Sequence, residues 1–430
     1  MADFTTSTPE LKFSVHTGVF SPDGARILTA SDDQTARLWD SRSGARIADS
    51  LRHEGGISGA VFSPDGTRIL TASDDKTARL WDGWRGTELA ILGGHEGRVY
   101  SAAFNANGTR ILTVAGTRKG IPRLIMSSFD YKKARLWDGN GAEIGVLQGH
   151  ERSINRAVFS PDGTRIVTSS DDGTARLWES QRGTEIAVLK GHAGKVFDVA
   201  YSPDGARILT SSDDNTVRLW DGERGTEIAV LRSREDSLAE AVFSPDGTRI
   251  LTNSATAVRL WDGRRGSEIA VLKGHQGTVA SAVFSADSRR IVTAGGGNGS
   301  FDRTARLWDG QSGTAIAVLT GHEDRVYDAV FSPDGTRVPT RAADDTARLW
   351  DVTWTSRIRG QELRARVCRE KLVGATLFTF EEARDPIIAG LGGTNPCERR
   401  GPLSISYWAD FARRAWSWLE DAARRLRRSI

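Results

Sequence analysis

The chain has 430 residues and 58 Lys+Arg against 55 Asp+Glu, a formal net charge of +3; that balance excludes a uniformly basic nucleic-acid binder. Two cysteines, Cys368 and Cys397, exclude a disulfide-stapled secreted scaffold and fit a reducing compartment, so a cytoplasmic location is expected. The first residues carry no signal-peptide pattern, and no run of about eighteen apolar residues is present to span a membrane.

The elements repeat along the chain. Arg-Leu-Trp followed by Asp or Glu recurs eight times, with the Trp at 39, 81, 137, 178, 220, 261, 308 and 350. The spacing is 41 or 42 residues except where insertions stretch it to 56 and 47, which is the period of a propeller blade. The unit from Val196 to Leu231 shows the pattern. Four short runs of β-formers are separated by Ser202-Pro203-Asp204-Gly205, by Asp213-Asp214-Asn215 and by a turn bracketed by Gly222 and Gly225. Proline presets φ in the first turn, and glycine accepts the positive φ that closes it. This predicts an all-β chain built from antiparallel meanders of strands a, b, c and d. Packing such sheets round an axis buries faces that a lone sheet leaves open. Charge divides where the repeats stop: residues 352–430 carry six net positive charges and the remainder three net negative ones.

A Gly-His before strand a, a Ser/Asp-rich turn before strand c and Trp-Asp at its end resemble the WD40-repeat β-propeller family over roughly residues 15–351. The resemblance implies an eight-bladed β-propeller, with seven blades as the alternative count. It also implies a hydrogen-bonded set of His, Thr, Asp and Trp in each regular blade. The sets are His53, Thr71, Asp75 and Trp81 in blade 2, and His150, Thr168, Asp172 and Trp178 in blade 4. Blade 5 has His192, Thr210, Asp214 and Trp220; blade 7 has His275, Thr293, Asp302 and Trp308; blade 8 has His322, Thr340, Asp344 and Trp350. A buried imidazole and indole N–H need partners, and a carboxylate at the turn supplies one. Three blades depart from the pattern. Blade 1 has Leu11 for His, blade 3 has Tyr131 for Asp, and blade 6 has Arg234 for His and a shortened turn at Ser254-Ala255 without Asp. Blade 8 lacks a fourth strand after Asp351. Residues 1–14 form an N-terminal segment in which Phe4 to Thr8 either closes that blade or frays.

No chemistry stands out from the repeat. The recurring Asp-Asp pairs are set apart around the ring, whereas acid–base carboxylates must share one substrate. Gly295-Gly296-Gly297-Asn298-Gly299 lacks the Lys-Ser/Thr and the helix of a phosphate loop. The expectation is a non-enzyme with no cofactor, no metal and no small-molecule substrate; a propeller-fold enzyme is the remote alternative.

The resemblance places the d–a and b–c loops on a narrow top face where proteins or peptides bind. Residues flanking the first strand-a position, and the residue before the turn Asp, vary while the framework stays fixed. From these, Arg98, Tyr100, Lys195, Phe197, Phe301, Arg325, Tyr327 and His16 are the expected partner contacts, because Arg and aromatic residues dominate interface energies. The insertion at about 115–130 in blade 3, basic and partly apolar, falls on the same face. Residues 352–430 read as a basic helical tail, with helices over 360–372 and 406–428 and a capping box at Thr379-Phe380-Glu381-Glu382. Its Arg-Val-Cys-Arg-Glu-Lys-Leu and Asn-Pro-Cys-Glu-Arg-Arg-Gly-Pro-Leu-Ser runs, with the Tyr-Trp that follows, resemble the ends of bacterial WD40-repeat proteins, whose propellers often follow signalling or STAND modules. The expected function is a monomeric protein–protein interaction scaffold or sensor propeller in bacterial signalling. Binding of membrane or nucleic acid through the basic tail is the alternative.

Overall fold

Blade 5 shows how the repeat folds. Val196–Tyr201, Arg207–Ser212, Thr216–Asp221 and Glu227–Arg232 are its strands a, b, c and d, paired in that order and antiparallel throughout. At the a–b turn Gly205 adopts φ +71°, and its N–H donates to the Ser202 carbonyl at 2.8 Å. Gly222, at the c–d turn, backs onto the Gly205 carbonyl so closely that a Cβ there would lie 2.3 Å from the oxygen. The two turns can approach only through glycine.

The computed structural model describes residues 15–48, 51–116, 131–232, 238–254, 257–296 and 300–353. Among them, 31 strands form eight antiparallel sheets. Seven sheets have four strands. The last, Val326–Ala329, Arg337–Ala342 and Ala347–Asp351, has three. The chain divides into Met1–Asp351 and Val352–Ile430. Phe4 to Thr8, Leu11, residues 117–130, Arg234, Ala255 and the tail helices lie outside the described residues.

Each sheet from blade 2 to blade 7 is apolar on both faces because it packs between two neighbours. Leu209, Val217, Leu219 and Leu231 of blade 5 meet Ala241, Ile250 and Trp261 of blade 6 in one buried cluster. The same positions form clusters between blades 1 and 2, 2 and 3, 3 and 4, 4 and 5, and 6 and 7. Each fully buried leucine contributes roughly 1.5–3 kcal/mol.

The pattern fails at blade 8. Pro339 and Arg341 stand where blade 5 has Leu209 and Ser211. Leu349 is 60% exposed, whereas its counterpart Leu219 is fully buried. On blade 1, Phe20 is 66% exposed, whereas its counterpart Phe243 packs into the core. The faces that these two blades turn away from their other neighbours are open among the described residues.

Strand a carries a bulge. In blade 5, Val196 pairs with Ser212 and Asp198 with Ser211, so Phe197 is an extra residue with no cross-strand partner. The same irregularity isolates His16, Ser58, Tyr100, Asn155 and Tyr327 in blades 1, 2, 3, 4 and 8. A bulge re-aims the side chain it carries, and this one sits at the end where the d–a and b–c loops meet.

Candidate interaction site

The His, Thr, Asp and Trp residues of five blades form continuous hydrogen-bonded chains at this end. In blade 2, Trp81 Nε1 donates to Thr71 Oγ1 at 2.8 Å, Thr71 Oγ1 lies 2.7 Å from His53 Nε2, and His53 Nδ1 lies 2.7 Å from Asp75 Oδ2. Blade 5 has the corresponding distances 2.8, 2.7 and 2.9 Å through Trp220, Thr210, His192 and Asp214. The equivalent bonds in blades 4, 7 and 8 fall between 2.6 and 2.9 Å. The threonine fixes the tautomer. Its oxygen accepts from Trp, its single proton goes to His Nε2, and His Nδ1–H therefore donates to the carboxylate.

Electrostatics agree with that assignment. Burial pushes the Asp75 carboxyl up, but hydrogen bonds from His53 and Thr77 outweigh it and hold the group well below the usual carboxylate range. The same balance holds Asp302 at about 2. Burial pushes the His275 and His192 imidazoles down despite the opposing carboxylates, so both stay neutral at pH 7. These residues brace the loops.

The three irregular blades keep the indole–threonine bond: Trp39 to Thr29 at 2.9 Å, Trp137 to Thr113 at 2.8 Å and Trp261 to Thr252 at 2.8 Å. In blade 1 the turn Asp33 pairs with Arg37 at 2.7 Å. In blade 6 Ser254 Oγ donates to the Ala257 carbonyl at 2.7 Å and closes the shortened turn without a carboxylate.

The expected partner contacts divide into engaged and open residues. Tyr100 donates its hydroxyl to the Ile154 carbonyl of blade 4 at 3.2 Å, and its ring joins the core between blades 3 and 4. Burial pushes its phenol up in pKa. Tyr100 is a stitch between blades rather than a free contact, because the bulge turns it onto the neighbouring backbone. Ser58 and Asn155, at the same bulge position, do the same to Val99 O at 2.7 Å and Val196 O at 2.9 Å. Arg98 reaches Asp74 of blade 2 at 3.1 Å, and Lys195 reaches Asp171 of blade 4 at 3.8 Å. Phe197 is half-buried, and the side chain of His16 lies outside the described residues. Phe301, by contrast, is 87% exposed. Tyr327 is 37% exposed, with the guanidinium groups of Arg325 and Arg341 5.5 and 5.8 Å from its ring centroid.

Sequence reasoning also missed the stitching at the opposite end. Arg207, at the start of strand b, donates to the carbonyls of Gly263 at 2.6 Å and Gly247 at 3.0 Å in blade 6, and sits 5.6 Å from the Phe243 ring centroid. Arg26 makes the same clasp on Gly83, Gly66 and Phe62, and Arg68 on Gly139, Gly108 and Phe104. The signal was available: an arginine opens strand b in all eight repeats.

Comparison with known proteins gives three findings. A family model described as "WD domain, G-beta repeat" matches residues 8–40, 47–82, 86–138, 141–179, 183–221, 266–309 and 313–351. The segment it passes over holds blade 6, which lacks both His and Asp. Among curated proteins, the chain is 43% identical over 60 residues to the guanine nucleotide-binding protein subunit beta of Nicotiana tabacum, covering 14% of this chain and 16% of that one. It is 44% identical over 48 residues to the nuclear distribution protein PAC1 of Gibberella zeae, covering 11% and 10%. The chain thus spans less than a fifth of the length of these relatives, which come from a plant and a fungus. Among solved structures, the computationally designed Ika8 protein matches with a TM-score of 0.58 and 20% identity, over 80% of this chain and 97% of that one.

Proposed function

The chain belongs to the WD-repeat family, and from that premise we propose that it is a non-catalytic protein-interaction scaffold or sensor propeller. Its partner binds where the d–a and b–c loops meet, on blades 7 and 8. The observation that carries this reading is Phe301, 87% exposed at a turn position that is acidic in blades 1 to 5. Asp74 and Asp171 occupy that repeat position in blades 2 and 4, and each is paired by the cation that precedes the next strand a. In blade 7 the position is aromatic, and the matching cation, Arg325, lies over Tyr327 instead. Exposed aromatic rings with arginines suit a partner segment that is apolar and acidic.

The tail's resemblance to bacterial WD40-repeat chains supports a cytoplasmic role in bacterial signalling. An affinity capture from the native host tests the reading. Phe301→Ala with Tyr327→Ala is expected to lose the main partner while leaving the melting temperature within about 2 °C, as for exposed substitutions. Recovery of the same proteins by wild type and variant would remove this face from consideration. The net charge of the tail favours membrane or nucleic acid as a second reading. Deleting residues 352–430 and measuring vesicle and DNA binding decides it.

A further inference from the structure

Blade 3 keeps three members of the set and lacks the fourth. His95 Nε2 lies 2.8 Å from Thr113 Oγ1, which accepts from Trp137 Nε1 at 2.8 Å. The residue that would carry the carboxylate is Tyr131, whose ring rests against Gly97: a Cβ on Gly97 would meet it at 2.0 Å. His95 is only 9% exposed, and its buried Nδ1 has no hydrogen-bond partner among the described residues. A buried unsatisfied donor costs about 1–3 kcal/mol.

The other blades define what is missing. In each of the five complete sets one carboxylate oxygen accepts from His Nδ1 and from the N–H of the following residue, as Asp75 does from His53 and from Glu54 at 3.1 Å. The second oxygen takes the hydroxyl of a threonine two residues on, Thr77 in blade 2. In blade 3 the corresponding donors are His95 Nδ1 and Glu96 N–H, and the threonine is replaced by Lys133. The slot has lost an anion and gained a cation. A crevice opens beside it, whose lining includes His95, Glu96, Tyr131, Lys132, Lys133 and Arg135. Lys133 reaches Glu96 at 3.0 Å, and Arg135 reaches Glu143 at 2.7 Å. Both pairs are surface pairs, which exchange partners at little cost.

We propose that this crevice is a binding site for a carboxylate, presented by an acidic residue of a docking peptide, which completes the blade 3 set from outside the chain. The carboxylate takes the place of the missing Asp: it accepts from His95 Nδ1 and Glu96 N–H and lies beside Lys133. Tyr131 is the cover, and rotation of its side chain off Gly97 opens the slot. The site rests on the proposal that this end receives a partner, and adds the chemistry of one anchor residue.

Selective isotope labelling of the histidine imidazoles supplies the readout, with sodium acetate and a fluorescent hexaglutamate peptide as probes. Acetate is expected to move the His95 signal and leave the five complete sets unchanged. Lys133→Thr, which installs the residue other blades carry, weakens hexaglutamate binding about tenfold, the loss of one charge-assisted contact. Tyr131→Asp rebuilds the carboxylate within the chain and abolishes both responses. The proposal fails if acetate leaves His95 unmoved, if Tyr131→Asp retains the peptide, or if inorganic phosphate matches acetate. It also fails if acetate acts only after Asp130→Asn, since the chain then fills its own slot. The Phe301→Ala, Tyr327→Ala variant must keep the acetate response, so a wrong choice of face and a wrong reading of this slot give different results.

Discussion

Threonine is the hub of each polar set, and its removal separates complete blades from incomplete ones. Thr210→Val keeps the shape but strands both Trp220 Nε1 and His192 Nε2, which it now serves. The expected cost is about 2–4 kcal/mol in urea unfolding. Thr252→Val in blade 6 strands Trp261 alone and should cost about half as much. Equal losses would mean that the histidine arm contributes nothing. His95 adds a pH dependence. Burial, with the nearby Arg135 charge, pushes it from 6.5 down to about 4. As pH falls below 6.5 the unfolded chain takes up this proton first, so stability present at neutral pH drains away until about pH 4 and approaches about 3 kcal/mol in total. Tyr131→Asp gives the imidazolium a counter-charge, so the variant should lose less between pH 6.5 and 4. Thermal scans of both chains across that window check the difference. The set members were legible because Asp keeps a fixed offset from Trp, and His from Thr, even across the insertion in blade 7. The vacancy at His95 Nδ1 was legible only as a substitution at Tyr131, since what fills a gap depends on packing.

Strands were legible and their bulges were not. A six-residue strand a shows the same alternation with or without an extra residue, so Val196–Tyr201 gives no sign that Phe197 is unpaired. That is why Tyr100 reads as a contact in the sequence but is a stitch in the fold. The arginine clasps were overlooked for a related reason: a charged residue at a strand start reads as solvent-facing, yet Arg207 is 8% exposed. Arg207→Ala removes two hydrogen bonds and a ring contact to blade 6, and should cost about 2–4 kcal/mol. Among the described residues Arg249 hydrogen-bonds the carbonyl of its own neighbour, Thr248, and no carbonyl of blade 7, and Arg249→Ala should cost under about 1 kcal/mol. Chemical denaturation of the two variants compares them directly; if they match, the clasp is ornamental.

At the scale of the molecule, the repeat period foretold meander sheets, and eight lie among the described residues, one of them with three strands. The state of the junction between the eighth and the first was hidden, because it depends on faces rather than on spacing. Leu219→Ala should cost about 2–5 kcal/mol, as a cavity in a closed core does. Leu349→Ala, at the same repeat position, should cost under about 1 kcal/mol, given its exposure. A large loss at Leu349 would show that the two faces close on each other in solution. The stitches themselves have a direction. Ser58, Tyr100 and Asn155 at one end, and Arg26, Arg68 and Arg207 at the other, all reach forward to the following blade. Such head-to-tail contacts are heterologous, and nothing in them marks a last member. The junctions so stitched ask the same question of their successors, so these contacts do not record which blade they belong to. Duplication of one such stitched unit would leave these contacts matched, so they set the order of neighbours and not their number.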